Sequence, residues 1–157
     1  MAYLPIAINL KERVCLIIGG GRLAERKAQV LLGCGSRIRL IAPDPVPTLA
    51  QALAKSKGCE VLQREFVIDD LDAPDIHLVL LTTESERWGL QVSERAQQHR
   101  LPVYIADNPA LSTFTFPEVI DRSPVQYTVS VAGGPPPPGR YIPGKMGGTV
   151  PPAPGAP

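Results

Sequence analysis

The chain has 157 residues, of which 44% are hydrophobic, and this is enough apolar material for one buried core. Its 16 basic and 15 acidic residues leave a formal net charge of +1, which excludes the charge signature of a nucleic-acid or anionic-membrane partner. No segment approaches the roughly 20 apolar residues that span a bilayer, and no basic region precedes the apolar N-terminal stretch. We therefore expect a soluble, unprocessed protein with a small-molecule partner.

The cysteine pattern bears on the compartment. Cys15, Cys34 and Cys59 are odd in number, widely spaced and include no Cys-x-x-Cys pair. This pattern argues against a disulfide framework and against a structural zinc site. We expect a cytoplasmic protein without a bound metal.

The most informative stretch is residues 14–24, where a short apolar run leads into Gly19-x-Gly21-x-x-Ala24 and then into helix-forming residues. Gly19 allows a sharp turn out of a strand, Gly21 allows backbone N–H groups to approach a pyrophosphate, and Ala24 allows close packing of helix on strand. The start of the helix would then face the phosphates with unpaired N–H groups and its positive dipole end. This motif predicts a dinucleotide site; a purely structural turn is the alternative.

Short apolar runs alternate with longer helical patterns along the chain, as a parallel sheet with crossover helices requires. The predicted strands are Val14–Ile18, Arg37–Ile41, Glu60–Leu62, Leu78–Leu81 and Val103–Ile105. The predicted helices are Leu23–Cys34, Thr48–Lys57 (capped by Thr48 and ended by Gly58) and Glu84–His99. The helix residues expected to face the sheet are Leu23, Ala24, Ala28, Val30, Leu31, Leu90, Val92 and Ala96. We predict an α/β fold with a Rossmann-type, doubly wound parallel sheet over residues 1–108.

The pattern changes after Pro109. Residues 109–134 predict two extended segments, Phe114–Ile120 and Val125–Ser130, around a turn at residues 121–124. In residues 135–157, 14 of 23 residues are proline or glycine. Such a composition buries too little apolar surface to offset its ordering entropy, so we expect a disordered tail.

The residues after the second and fourth strands bear on which nucleotide binds. Asp44 lies just past the second strand, where an acidic residue would bind the adenosine ribose of NAD. Arg37 and Arg39 offer the alternative of a 2′-phosphate site, although strand arginines are more often solvated. We prefer NAD. Thr83 follows the fourth strand, either as a ligand contact at the carboxyl edge of the sheet or, like Ser85, as a cap for the next helix.

Candidates for chemistry are few. Asp107 follows the fifth strand, so the fold would direct its carboxylate into the crevice that holds the nicotinamide; its alternative role is that of a turn residue before Asn108-Pro109. His77 and His99 are interpreted as structural, and neither has a metal-ligating partner at a useful spacing.

Several ordered blocks together resemble the precorrin-2 dehydrogenase / sirohydrochlorin ferrochelatase family, which forms the N-terminal module of siroheme synthases. The resemblance covers roughly residues 1–134. The blocks that carry it are Tyr3-Leu4-Pro5-Ile6, Gly19–Lys27, Ala42-Pro43, Arg64-Glu65-Phe66, Ala106-Asp107-Asn108-Pro109 and Phe114–Pro124 with its Asp121-Arg122-Ser123-Pro124.

The resemblance implies that NAD⁺ accepts a hydride from precorrin-2 to give sirohydrochlorin, and that some members then insert Fe²⁺ as a chelation substrate. It implies a homodimer and assigns Asp107 to dehydrogenation and, where present, to chelation. The cofactor-binding residues that it implies are Gly19, Gly21, Arg22 and Leu23 at the pyrophosphate and Pro43 and Asp44 at the adenosine ribose. Ser130 matches a serine that some members phosphorylate.

The chain departs from the family pattern after about residue 134. Family members continue with a long helical region that helps form the dimer and cover the tetrapyrrole, whereas Pro135–Pro138 follow here. We therefore expect a shortened or altered C-terminal region. It leaves two other hypotheses open: a non-catalytic NAD-binding sensor, and an interaction protein that uses its proline-rich tail.

Overall fold

The computed structural model describes residues 4–83, 86–122 and 125–129, and of these it describes residues 86, 118–122 and 125–129 by their backbone only. The chain divides into two compact units, Met1–Phe116 and Pro117–Pro157. The predicted tail at residues 135–157 and Ser130 lie outside the described residues.

The first unit contains a five-stranded parallel sheet in the order β3-β2-β1-β4-β5. The strands are β1 (Val14–Ile18), β2 (Arg37–Ile41), β3 (Glu60–Leu62), β4 (Ile76–Leu81) and β5 (Val103–Ile105). The helices are α1 (Arg22–Gly33), α2 (Pro47–Ala54) and α3 (Glu86–Gln98). The predicted doubly wound α/β fold is confirmed.

The core lies on both faces of this sheet. On one face, Cys15 and Ile17 of β1 pack with Ala24 and Leu31 of α1. On the other face, Leu16 and Ile18 pack in the cluster that includes the inner residues of α3. All five residues of β1 are buried, and this explains why the strand reads as a continuous apolar run rather than an alternating one.

The strand order places a topological switch point between β1 and β4. From β1 the chain proceeds outward through β2 and β3, and it then returns to the other side of β1 to form β4 and β5. The connections that leave β1 and β4 therefore diverge, and they open a crevice beyond the carboxyl ends of these two strands. Ligands of open α/β sheets bind at such a point.

Two side chains that we expected to face the sheet are exposed, so those predictions are wrong. Val30 is 38% exposed and Leu90 is 52% exposed. The reason is rotational: α1 buries Ala24, Ala28 and Leu31, and Val30 lies about 100° from Leu31 around the helix. Leu90 lies about 200° from the buried Val92.

The second helix begins and ends earlier than predicted. It begins at Pro47, and its N-cap, Val46, makes no side-chain hydrogen bond, so the prediction that Thr48 caps it is wrong. Proline at the first helical position needs no hydrogen-bond partner and has a helical φ, which explains the early start. The helix ends at Ala54, and Gly58 lies in the following turn with a φ of +75°.

Strand β4 begins two residues earlier than predicted. Val14 pairs with Ile76 and Cys15 pairs with Leu78, so His77 is an extra residue in the register. A β-bulge of this kind interrupts the apolar pattern on which the sequence-based boundary depended.

In the second unit, β6 (Glu118–Arg122) and β7 (Val125–Val129) form an antiparallel pair. Asp121 pairs with Gln126 and Arg122 with Val125, so the prediction that residues 121 and 122 belong to the turn is wrong. The first extended segment also begins later than predicted. Phe114 and Phe116 precede it in the first unit, where their ring centroids lie 6.0 and 5.9 Å from that of Tyr104.

An ion pair holds the segment after β3, and it leads to a prediction about acid stability. Arg64 donates two hydrogen bonds to Asp70, whose carboxylate also accepts the Val67 N–H at 3.0 Å. The Arg64 guanidinium, with help from that N–H, holds the pKa of Asp70 below its ordinary value. A carboxyl group with a lowered folded-state pKa stabilises the fold above its unfolded pKa of about 3.9, and this stabilisation is lost as the pH falls through the folded-state value.

We therefore expect Asp70→Asn to lower the free energy of unfolding by roughly 1–2 kcal/mol at neutral pH. The difference from the parent chain should shrink as the pH falls below about 4 and disappear below the lowered folded-state pKa of Asp70, because the carboxyl group is then protonated in both the folded and unfolded states. Urea titrations between pH 7 and pH 2.5 would measure it. Asp69→Asn is the matched control, since the Asp69 side chain is 79% exposed and its pairing with Arg95 should contribute little. Equal losses for both variants would contradict the prediction.

Candidate functional site

The turn that connects β1 to α1 requires glycine at position 19 for two separate reasons. Gly19 has a φ of +103°, a conformation that side-chain-bearing residues rarely adopt. A Cβ on this residue would also lie only 2.9 Å from Thr82 Oγ1 and 2.9 Å from the Thr83 nitrogen. The Gly19 N–H donates to the Ile41 carbonyl at 2.9 Å, so the turn is held against β2 while it lies against the end of β4.

Gly21 lies in open space, in contrast to Gly19. It is the N-cap of α1, it makes no side-chain capping bond, and a Cβ on it would meet nothing within 4 Å. The first N–H groups of a helix have no intrahelical acceptor, and they carry the positive end of the helix dipole. The turn therefore presents donors and an unfilled approach to them, and this arrangement fits a pyrophosphate.

The end of β4 is fastened to the end of β1. Thr82 donates its N–H and its hydroxyl to the Ile18 carbonyl, at 2.8 and 2.9 Å. The half-buried Thr83 therefore follows directly at the side of the glycine turn. The alternative prediction is that Thr83 or Ser85 caps the next helix. Residues 84 and 85 lie outside the described part of the chain, so this stays a prediction.

The connection between β2 and α2 forms another side of the crevice; we call residues 43–46 the β2–α2 loop. Pro43 and Asp44 are exposed, whereas Pro45 is buried. The Val46 N–H donates to the Gly20 carbonyl at 2.8 Å. The exposed part of this loop, including the Asp44 carboxylate, is thus tethered to the glycine turn.

Arg22 and Glu25 form an ion pair in the first turn of α1, with 3.2 Å between Arg22 Nη1 and Glu25 Oε2. Hydrogen bonds from Thr48 and from Arg22 hold the pKa of Glu25 below its ordinary value. Arg22 is highly exposed, with 83% of its side chain accessible, and Leu23 beside it is half-buried. The bond to Thr48 links α1 to α2. The sequence-based predictions missed this network, which the i,i+3 spacing of Arg22 and Glu25 could have indicated in part.

Asp107 follows β5, which ends next to β4: the Ala106 N–H donates to the Leu81 carbonyl at 3.0 Å. The turn that begins here is stabilised by its neighbour Asn108, whose Oδ1 accepts the Ala110 N–H at 3.2 Å. Among the described residues, none makes a hydrogen bond or ion pair with the exposed Asp107 carboxylate. The turn therefore does not need this carboxylate, which leaves it available for a ligand at the carboxyl edge of the sheet.

The two arginines that offered an alternative 2′-phosphate site, Arg37 and Arg39, bind other protein groups. Arg39 is bound by Glu60 at 2.9 Å and by both carboxylate oxygens of Asp75, which raise its pKa. Arg37 is the first residue of β2, at the edge opposite the crevice, and its Nε donates to the Glu12 carbonyl at 3.0 Å. Neither arginine is placed to bind a nucleotide phosphate in the crevice.

Both histidines lie toward the opposite edge of the sheet. His77 lies 3.2 Å from Arg13 Nη1 through Nε2 and 2.8 Å from the Asp75 carbonyl through Nδ1. Because arginine only donates, Nε2 accepts and Nδ1 carries the proton. His99, beyond the end of α3, lies 2.9 Å from Asp72. These contacts are structural, as the sequence indicated.

Within the described residues, no group of three or more histidine, cysteine, aspartate or glutamate side chains could hold a metal ion. A search of the same residues finds no helix of sufficient length and apolar character to cross a membrane. The three cysteines are unpaired, and burial raises the pKa of the Cys15 thiol to about 11.

Comparison with known proteins agrees with this geometry. The chain is 41% identical over 151 residues to a siroheme synthase of Pseudomonas entomophila and 36% identical over 151 residues to one of Vesicomyosocius okutanii, and each match covers 96% of this chain. The chain spans only 32% of the length of these relatives. A solved structure titled "SirC, precorrin-2 dehydrogenase" has the same fold, with a TM-score of 0.69 at 21% identity over 85% of this chain and 64% of its own.

A protein family described as "Putative NAD(P)-binding" matches residues 6–118, which include all five parallel strands, the glycine turn, the β2–α2 loop and Asp107. This match extends over well more than half of the chain. It agrees with the sequence resemblance and with a crevice whose open helix terminus fits a pyrophosphate. The chain therefore belongs to this NAD(P)-binding family.

Proposed function

We propose that the chain oxidises precorrin-2 to sirohydrochlorin with NAD⁺, as the dehydrogenase module of a siroheme synthase. The observation that carries the proposal is the position of the Asp107 carboxylate, which has no partner among the described residues, at the sheet edge that also bears the glycine turn. The names of the relatives support the substrate, and the family supports the cofactor.

The residues present fit a dinucleotide. Gly19 and Gly21, with the N-terminal amides of α1, would hold the pyrophosphate, and the exposed Arg22 beside Leu23 would add a positive charge. Pro43 and Asp44 would border the adenosine ribose, and Thr83 would lie on the nicotinamide side. When bound, NAD⁺ supplies an acceptor for the hydride.

Asp107 would act as the proton acceptor. Oxidation removes a hydride and a proton from the macrocycle, and a carboxylate at the end of β5 can take the proton while the hydride goes to the nicotinamide. In a subsequent chelation step with Fe²⁺ as substrate, two pyrrole N–H protons must leave as the metal enters. The same carboxylate can accept one at a time and release them to water. The homodimer and the cytoplasmic location remain predictions.

The decisive experiment supplies the purified chain with NAD⁺ and precorrin-2 generated in situ, and follows NADH together with sirohydrochlorin absorbance. Coupled appearance of both products supports the proposal. The competing hypothesis of a non-catalytic NAD-binding sensor expects binding of NAD⁺ without turnover. The hypothesis of a docking tail concerns residues 135–157, and deletion of these residues would abolish partner binding only if that hypothesis holds.

Asp44 leads to a prediction about nucleotide choice. Its exposed carboxylate can bind the ribose 2′-hydroxyl of NAD and would repel the 2′-phosphate of NADP. We expect Asp44→Asn to weaken NAD⁺ binding about 10-fold and to narrow the preference for NAD⁺ over NADP⁺. Asparagine keeps a neutral hydrogen bond in place of the charge-assisted one, and the difference between the two is about 1–1.5 kcal/mol. Titration calorimetry with both dinucleotides would measure this, with Asp69→Asn as the control for net charge. An unchanged preference would show that Asp44 does not border the ribose.

A further inference from the structure

Gly20, the middle glycine of the turn, is constrained by a contact that neither Gly19 nor Gly21 makes. In a Gly-x-Gly motif the middle position normally accepts a side chain, and Gly20 does not have a positive φ. A Cβ on Gly20 would nevertheless lie 2.6 Å from Pro45 Cα, 2.8 Å from Ala42 Cβ and 2.9 Å from Pro45 Cβ. The closest of these atoms belongs to the backbone, so no rotation of a side chain could relieve the contact.

The same two segments are joined by a hydrogen bond, from the Val46 N–H to the Gly20 carbonyl at 2.8 Å. Pro45 is buried at this contact, and its neighbour Asp44 is exposed. Proline restricts the backbone at residue 45 and also disfavours the helical conformation at residue 44. A rigid, buried residue thus anchors the loop directly next to the exposed carboxylate of Asp44.

We propose that Gly20 and Pro45 form a positioning contact that sets the distance between the β2–α2 loop and the glycine turn. This distance in turn sets the position of Asp44 at the adenosine ribose. The inference rests on the proposed cofactor function and adds a determinant of affinity that touches no ligand. Nonbonded carbon atoms prefer separations of 3.5–4.0 Å, so alanine at position 20 would displace the loop by roughly 1 Å. A displacement of this size is enough to misplace a hydrogen-bonding group, and we expect a loss of about 10-fold in affinity, comparable to the loss from Asp44→Asn.

The test measures binding of NAD⁺ and ADP-ribose to Gly20→Ala by titration calorimetry, at a temperature where the variant is folded. Because alanine at position 20 also strains the fold, Val92→Ala serves as a destabilised control. Val92 is fully buried in the core cluster on the opposite face of the sheet, so its truncation lowers stability without moving the loop. We expect Val92→Ala to retain its affinity for both ligands and Gly20→Ala to lose it.

A double-mutant cycle distinguishes an effect of Gly20→Ala on the position of Asp44 from an effect on the stability of the whole fold. If Gly20 acts through Asp44, Asp44→Asn should weaken ADP-ribose binding much less in the Gly20→Ala background than in the parent chain. A ligand-free readout is amide hydrogen exchange: the Val46 amide should lose protection in Gly20→Ala, while the central strand amides of Leu16 and Leu80 keep theirs.

Failure of the positioning contact can be distinguished from failure of the proposed cofactor function. If the parent chain binds neither NAD⁺ nor ADP-ribose, the proposed cofactor function is overturned. If the parent chain binds them and Gly20→Ala binds equally well, only the positioning contact is overturned. Fully additive losses in the double variant would also overturn it, because Gly20 and Asp44 would then act independently.

Discussion

Replacing Asp107 with asparagine is expected to lower the turnover of precorrin-2 by about 10²- to 10⁴-fold, the range that general acid–base groups contribute. Asparagine keeps the size and the hydrogen-bonding capacity of the side chain but cannot accept the proton. The affinity for NAD⁺ should be unchanged, because the glycine turn and the β2–α2 loop that are proposed to hold the adenosine and phosphates lie on other connections. NADH formation under saturating NAD⁺, and direct titration of NAD⁺, would measure the two quantities.

Asn108→Ala is the matched control for this experiment. Asn108 accepts the Ala110 N–H and organises the turn next to Asp107. If the turn alone matters, Asn108→Ala should reduce turnover as much as Asp107→Asn does. If the carboxylate is the proton acceptor, Asn108→Ala should lower stability modestly and leave most of the turnover. Turnover by Asp107→Asn at the parent rate would refute the assignment, and the absence of turnover in both the parent and the variant would favour the sensor hypothesis.

Replacing Gly21 with alanine is expected to leave the ligand-free fold intact while it weakens NAD⁺ binding by about 10- to 100-fold. A Cβ on Gly21 meets nothing within 4 Å, so folding has no steric reason to be disturbed. The methyl group would occupy the approach to the first amides of α1 and would remove one charge-assisted bond to the pyrophosphate, which contributes about 1.5–3 kcal/mol. Thermal unfolding would measure the stability of the variant, and calorimetric titration with NAD⁺ would measure its affinity.

Gly33→Ala provides the comparison for Gly21→Ala, because its Cβ also meets nothing within 4 Å and it lies at the far end of the same helix. It should bind NAD⁺ as the parent chain does and gain about 0.5–1 kcal/mol of stability from the better helix former. Gly19→Ala should show the opposite behaviour to Gly21→Ala, with a marked loss of stability from its positive φ and its contact with Thr82. Undiminished NAD⁺ binding by Gly21→Ala would place the pyrophosphate elsewhere.

Local sequence patterns predicted the strands well because burial on both faces leaves an unmistakable run of apolar residues, as in β1. They predicted helix faces less well: Val30 and Leu90 are apolar but lie off the buried stripe, and only the packing of each helix on the sheet selects its rotation. The start of α2 at Pro47 and the bulge at His77 likewise depend on neighbouring segments, so local propensity misplaced both boundaries.

For the candidate site, the sequence by itself determined the glycine turn, because Gly19 has a conformation that side-chain-bearing residues rarely adopt and Gly21 leaves the approach to the start of α1 open. It also placed Asp107 after a strand end, and the strand order then brings that end to the same edge of the sheet. The tertiary structure alone decided the close approach of Gly20 to Pro45 and the link between Glu25 and Thr48. Both contacts join segments that are distant in sequence, and no local pattern records how closely two such backbones approach each other.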